Sequence, residues 1–315
     1  MKIFCHIPRE NWFGDRYGAE YSRASRYEVS HEDLNCDLIW LLADWCWRQI
    51  PAQILKEKPV VCTVHHIVPE KFDQKAYNEF MLRDQFVDAY HVPCDATKDF
   101  ISGITTKPIK KIVYWVDLNL WPSRNRDDMK KKFDLPKNAL VVGSFQRDTE
   151  GHDLKSPKLE KGPDRFCSYV EMLVAAGHSV HVLLNGWRRQ YVISRLSESS
   201  IPVDYIELPS LSTVSEMYSA CDLYVVGSRY EGGPQAILEC AASRTPIVSA
   251  DVGIATDVLP GTCIWEIGDI EKIYFPTDHD VNIAYENAKL FEISKHVKEY
   301  DKLFDEVRIE KCQRY

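Results

Sequence analysis

Two α/β domains built on parallel sheets are what this sequence predicts, and three observations carry that expectation. Short β-branched and aromatic runs alternate with longer amphipathic ones, the order that crossover helices between parallel strands impose. Several of the short runs, such as Val60-Val61-Cys62-Thr63-Val64, are apolar throughout, as strands covered on both faces must be. The third observation is length: 315 residues exceed one ordinary domain and suit two, each able to bury its own core.

Taken in order, the strands of the first half are expected at Lys2 to His6, Asp37 to Leu42, Val60 to Val64, Ala89 to Val92 and Lys111 to Trp115. Those of the second half are expected at Leu140 to Phe145, Ser179 to Leu184, Val203 to Ile206, Leu223 to Val226, Pro246 to Ser249 and Thr262 to Trp265. Between them, Pro163 to Ala176 carries Phe166, Val170, Leu173 and Val174 at helical spacing and stops at Gly177. Trp187 to Ser197 and Thr213 to Ser219 read as further helices. Val116 to Lys137 breaks the alternation with Asp117, Asn119, Pro122, a charged stretch and Pro136, which marks it as the linker. The domains are thus set at 1–118 and 119–280, and the charged, helix-favouring residues 281–315 form a tail that packs over them.

Composition narrows the function. The hydrophobic share of 45% and charged share of 27% are those of an ordinary globular protein. Pro8 breaks the first apolar run too early for a signal peptide, and no later run approaches the roughly 18 apolar residues that a membrane helix needs. The expectation is a cytoplasmic protein. The ten cysteines show no C-x-x-C spacing and lie mostly in apolar runs, so they read as buried, reduced thiols rather than zinc ligands or disulfides. A net charge of −8 disfavours a nucleic-acid partner. The basic clusters Lys107-Lys110-Lys111 and Lys130-Lys131-Lys132 leave peripheral contact with an anionic membrane open, against the commoner reading as solvated helix faces.

Ligands of open parallel sheets bind beyond the carboxyl ends of the strands. The sequence singles out one such place. The apolar run ending at Val226 leads into Gly227-Ser228-Arg229-Tyr230-Glu231-Gly232-Gly233-Pro234-Gln235, and Ala236-Ile237-Leu238-Glu239 follows as helix. Gly232 and Gly233 let backbone amides approach a ligand, Pro234 suits a first helical turn, and a helix start favours phosphate. Glu231 then lies in the loop, and Glu239 about one and a half turns into the helix, so the two carboxylates can touch different parts of one extended ligand. Singly, such glutamates are usually solvated surface groups; strand, glycine loop, helix and carboxylate in one order favour function.

These residues, with Thr245-Pro246-Ile247-Val248-Ser249, resemble the E-x7-E region of the retaining GT-B glycosyltransferases of family four. The resemblance implies a fold of two facing Rossmann-like domains with helices at the C-terminus packing across them. It also implies that Glu231 contacts the donor sugar, that Glu239 contacts the ribose, and that Ser228, Gly232, Gly233, Pro234 and Gln235 line the donor site. A second match runs from Val141-Val142-Gly143-Ser144-Phe145-Gln146-Arg147 to Lys161-Gly162, where the family places an arginine and a lysine on the diphosphate. Two cations there stabilise the leaving group without a metal, so Arg147 and Lys161 take that role and no cofactor is expected. The insertion Asp148 to Pro157 leaves Lys155 and Lys158 as rivals to Lys161.

The first half matches in outline. Thr63-Val64-His65-His66 resembles the position of the family's active-site histidine, with His65 or His66 reaching donor sugar or acceptor. The family's glycine-rich loop appears in altered form as Trp12-Phe13-Gly14-Asp15-Arg16-Tyr17-Gly18. The implied reaction moves a hexosyl unit from a nucleoside diphosphate sugar to a hydroxyl of a glycan, lipid-linked or protein acceptor, with retention, in a cleft between the domains. Two alternatives remain: a catalytically silent sugar-nucleotide binder or partner subunit, and an epimerase or phosphorylase on the same architecture.

Overall fold

The computed structural model describes residues 1–10, 13–265 and 272–313. The chain divides into two compact units, Met1–Trp115 joined by the chain from Ile293 onward, and Val116–Glu292. Residues 281–292 therefore belong to the second unit, and the rest of the expected tail belongs to the first.

The first unit contains β1 (Lys2–His6), α1 (Phe13–Ala24), β2 (Glu28–Ser30), β3 (Leu38–Leu41), α2 (Ala52–Glu57), β4 (Val60–Thr63), α3 (Gln74–Asp84), β5 (Ala89–Val92), α4 (Asp95–Ser102) and β6 (Ile109–Lys111). Its six strands form one sheet in the order β2-β1-β3-β4-β5-β6, all parallel, so the direction of winding reverses between β1 and β3. Ile39, Leu41, Val60, Cys62, Tyr90 and Val92 alternate into a core that Phe80 and Ile101 close from the helices. The segment expected as an altered glycine loop is helical from Phe13, and Trp12 lies outside the described residues. A Cβ at Gly18 would fall 2.6 Å from Ile7 Cγ2, so this glycine serves the close approach of α1 to the strand end.

The strand expected at Lys111 to Trp115 is instead Ile109–Lys111. Ile112 to Trp115 is a buried apolar run that leaves the sheet and enters the packing around α1: Trp115 stacks on Tyr17 at 3.5 Å between ring centroids and donates its Nε1–H to Glu20. β2 escaped the sequence reading because three half-exposed residues at a sheet edge carry little apolar signal.

The second unit contains α5 (Arg126–Lys132), β7 (Leu140–Ser144), α6 (Pro163–Ala175), β8 (Val180–Asn185), α7 (Gln190–Glu198), β9 (Val203–Ile206), α8 (Leu211–Ala220), β10 (Leu223–Val226), α9 (Gln235–Ser243), β11 (Ile247–Ala250), α10 (Ala255–Val258), β12 (Ile264–Trp265) and α11 (Asp278–Ala288). Its sheet runs β12-β11-β10-β7-β8-β9, all parallel. Counted within the unit this is the 3-2-1-4-5-6 order of a dinucleotide-binding fold, with its switch point between β7 and β10. The expected linker contributes α5, whose Lys130 is buried 2.5 Å from Asp222, while Lys132 pairs with Glu216 at 2.6 Å. In the other basic cluster Lys111 pairs with Asp95 at 2.6 Å.

The last helix, α12 (Ile293–Gln313), returns to the first unit. Its Tyr300 hydroxyl lies 2.7 Å from that of Tyr17, its Asp301 accepts from Tyr21 and Ser25, and its Lys311 reaches Asp88. All ten cysteines are free, and all but Cys312 are buried. Among the described residues no helix is long and apolar enough to cross a membrane.

Candidate functional site

The switch point of the second unit collects the residues that the sequence singles out. β7 delivers Gln146 and Arg147, β10 delivers the Gly227 to Pro234 loop, and a short 3-10 turn, Leu159–Lys161, delivers Lys161 at the start of α6. Gly162 makes this convergence sterically feasible. It has φ +60°, and a Cβ there would sit 1.8 Å from the Gly227 carbonyl oxygen, so the turn before α6 and the end of β10 touch backbone to backbone.

Lys161 Nζ donates to both carboxylate oxygens of Glu231, at 2.8 and 2.7 Å. Ser228 Oγ, fully buried, donates to Glu231 Oε1 at 3.0 Å, and the Gln146 amide donates to the Lys161 carbonyl at 2.7 Å. Lys161 stands two residues ahead of α6, where a cation is unfavourable beside the positive end of the helix dipole, and Glu231 supplies the anion that offsets it. Of the three candidate lysines, Lys161 is therefore the one held against Glu231. Lys158 lies 3.6 Å from Glu160, and Lys155 is exposed on the insertion, whose ends Thr149 and Pro157 pair in an antiparallel bridge.

Arg147 takes a separate place. Its Nε donates to the Thr149 carbonyl at 2.7 Å and its guanidinium lies 5.4 Å from the Trp187 ring centroid. Burial, followed by the neighbouring Arg188, lowers its pKa.

Glu239 is the fifth residue of α9; its side chain is buried and accepts from the Tyr218 hydroxyl at 2.8 Å. Pro234 occupies the N-cap, one residue ahead of the first-turn position expected for it, and Gln235 opens the helix. Within that first turn the Ile237 amide donates to the Pro234 carbonyl at 2.9 Å. Gly253, at φ +57°, backs this loop: a Cβ there would come within 2.4 Å of the Gly232 carbonyl oxygen.

Three supports went unseen in the sequence. Arg229 forms a bidentate pair with Asp164 at 2.8 and 2.6 Å, and its amide donates to the Glu160 carbonyl, fastening the loop to the start of α6. Arg189, 1% exposed, donates to Asp148 at 3.0 Å and to the carbonyls of Ser144 and Asn185 at the ends of β7 and β8. Tyr218, on α8, positions Glu239. Arg229 stands in the motif, but its partner Asp164 lies 65 residues away, and Asp148 and Glu239 lie 41 and 21 residues from Arg189 and Tyr218.

In the first unit, both ring nitrogens of His65 are engaged: Nε2 with the Leu42 carbonyl at 2.7 Å, and Nδ1 with the Tyr114 hydroxyl. The ring meets Phe13 edge to face. His66 follows it, half-buried, in the loop after β4.

Residues 155–260, which contain Lys161, Glu231 and Glu239, match the family model described as Glycosyl transferases group 1. The HepE protein of Anabaena, solved with UDP and glucose, is 14% identical to this chain with a TM-score of 0.76, over 97% of this chain and 100% of that one. The same protein with UDP-glucose gives 16% identity and a TM-score of 0.74 over the same shares. A glycosyltransferase of Rickettsia africae is 13% identical with a TM-score of 0.69, over 97% of this chain and 98% of that one. No curated protein sequence matches the chain. The likenesses establish a GT-B fold with Rossmann-like units, and the family match supports a glycosyltransferase.

Proposed function

We propose that the chain is a retaining, metal-independent glycosyltransferase that moves a hexosyl unit from a nucleoside diphosphate sugar to an acceptor hydroxyl on a glycan, lipid-linked or protein-linked acceptor. One observation carries the reading: Lys161, Ser228 and Glu231 are joined at the switch point where a sheet of this order takes its nucleotide. The diphosphate lies against Lys161 and the positive N-terminal ends of α6 and α9, with Arg147 turning from Thr149 as the second cation. Glu231, released from Lys161 by the incoming phosphate, bonds the sugar hydroxyls, and Glu239 bonds the ribose. His65 or His66 faces the acceptor side.

The acceptor oxygen forms its bond to the anomeric carbon on the face that the phosphate oxygen leaves. That departing oxygen takes the acceptor proton, so configuration is retained and no carboxylate need act as nucleophile. The protein contributes fixed charge and exclusion of water. Uridine diphosphate sugars are the first donors to test, since the similar Anabaena structures hold UDP and UDP-glucose.

The test is nucleoside diphosphate release in the presence of donor and a panel of glycan acceptors, with the anomeric configuration of the product read by NMR. Lys161→Ala and Glu231→Ala should each lower turnover by about 100-fold or more, the scale of losing a charge stabiliser in an active site. Activity should persist in excess chelator. Wild-type rates in both folded variants, or donor binding without release in every acceptor mixture, would overturn the proposal.

A further inference from the structure

A groove of about 360 Å³ runs along α12 where that helix passes the end of α1. Ala24 and Arg26 form one bank, and α12 forms the other from Ser294 to Ile309, a rise of about 22 Å along the helix axis. All of it belongs to the first unit. The inner face of α12 is used by the core of that unit, where Tyr300, Leu303, Phe304 and Val307 are buried. Ile309, on the groove, is 50% exposed.

Charge along the groove is sorted by sign. Lys298 and Lys302 lie toward the N-terminus of α12, and Asp305 and Glu306 toward its C-terminus. The helix dipole favours the reverse order, yet α12 has no acid in its first turn, and Lys311, the base of its last turn, reaches Asp88 at 3.0 Å. The sorting therefore gains nothing within the helix. Asp305 is engaged inside the chain, where Arg26 and the Tyr27 hydroxyl each donate to it at 2.6 Å. Among the described residues Lys298, Lys302 and Glu306 form no ion pair, although Lys302 and Glu306 stand one turn apart on an exposed face. A strip that is basic at one end and acidic at the other is complementary to itself when turned through a two-fold axis.

We propose that this groove is a homodimer interface in which α12 of a second copy lies antiparallel along it. Lys302 of each copy then faces Glu306 of the other, about an axis midway between those two positions. Ile309 of each copy covers the aliphatic stem of Lys298 and the Val297 end of the other groove. The lysines come to lie toward the negative end of the opposing helix, which removes the conflict with the dipole that a single copy carries. The inference is independent of the reaction that the second unit carries out.

The experiment is sedimentation velocity of the full chain over a wide range of micromolar concentration. A monomer–dimer equilibrium that weakens as salt rises is expected. Lys302→Glu and Glu306→Lys should each raise the dimer Kd about tenfold or more, because each sets like charges opposite one another, and the two substitutions combined should restore it to near the wild-type value. Ile309→Glu should also dissociate the dimer. All three positions are exposed, and the unfolding midpoint of each variant, measured alongside, separates loss of pairing from loss of fold. A chain that stays monomeric throughout the range would overturn the proposal. So would a dimer indifferent to the single reversals, which would pair through another face, or a combined variant no tighter than either single one, which would show that Lys302 and Glu306 do not meet.

Discussion

A methyl group at Gly162 would meet the Gly227 carbonyl oxygen at 1.8 Å, in a backbone conformation of φ +60° that disfavours any side chain. Gly162→Ala should therefore lower stability by more than about 2 kcal/mol, read from the denaturant midpoint, because neither backbone can yield. An unchanged midpoint would mean that the turn before α6 and the end of β10 are not packed as described. The sequence announces this glycine beside Lys161 but not what it touches, since Gly227 lies far along the chain. The same holds for charge. Lys161 and Glu231 stand in separate motifs and meet in the fold, whereas Arg147 shares the motif of Lys161 and yet is drawn to Thr149 and Trp187.

At the scale of elements, strands covered on both faces are readable to within a residue or so, as β4 and β10 show, because burial forces continuous apolar runs. Helices were harder to see. α1 hides behind Gly14 and Gly18, residues that weaken helical propensity, although Gly18 lets the helix pack closely. The loops after β7 and β8 depend on Arg189, whose side chain gathers the carbonyls at both strand ends and the carboxylate of Asp148. Arg189→Met removes the cation and leaves Asp148 buried without its ion-pair partner, so urea unfolding should show a loss of roughly 3–5 kcal/mol. Because Gln146 follows β7 and bonds the Lys161 carbonyl, the donor KM should rise in the same variant. A stable variant with unaltered KM would show that the pair is dispensable.

Over the whole molecule, the histidines among the described residues whose pKa burial lowers are unevenly shared. His6, His91 and His296 all lie in the first unit with pKa values lowered chiefly by burial, His91 from 6.5 to about 3. These bases are neutral in the folded unit and take up protons when it unfolds. For each, the stability is complete above pH 6.5 and is lost as pH falls through its folded value, which for His91 is about 3. Acid should therefore open the first unit before the second, which amide hydrogen exchange across pH 7 to 4 can resolve, and His91→Gln should flatten the slope. Simultaneous opening, or a slope indifferent to that substitution, would refute this account.

The return of α12 to the first unit also orders events at the ribosome. Tyr300, Asp301 and Phe304, which seal the inner layer around Tyr17, Tyr21 and Trp40, are translated only after all of residues 116–292. The half of the protein that emerges first thus waits, unsealed, while the later half matures. During that interval its aromatic inner surface is the part of the nascent chain that chaperones would meet.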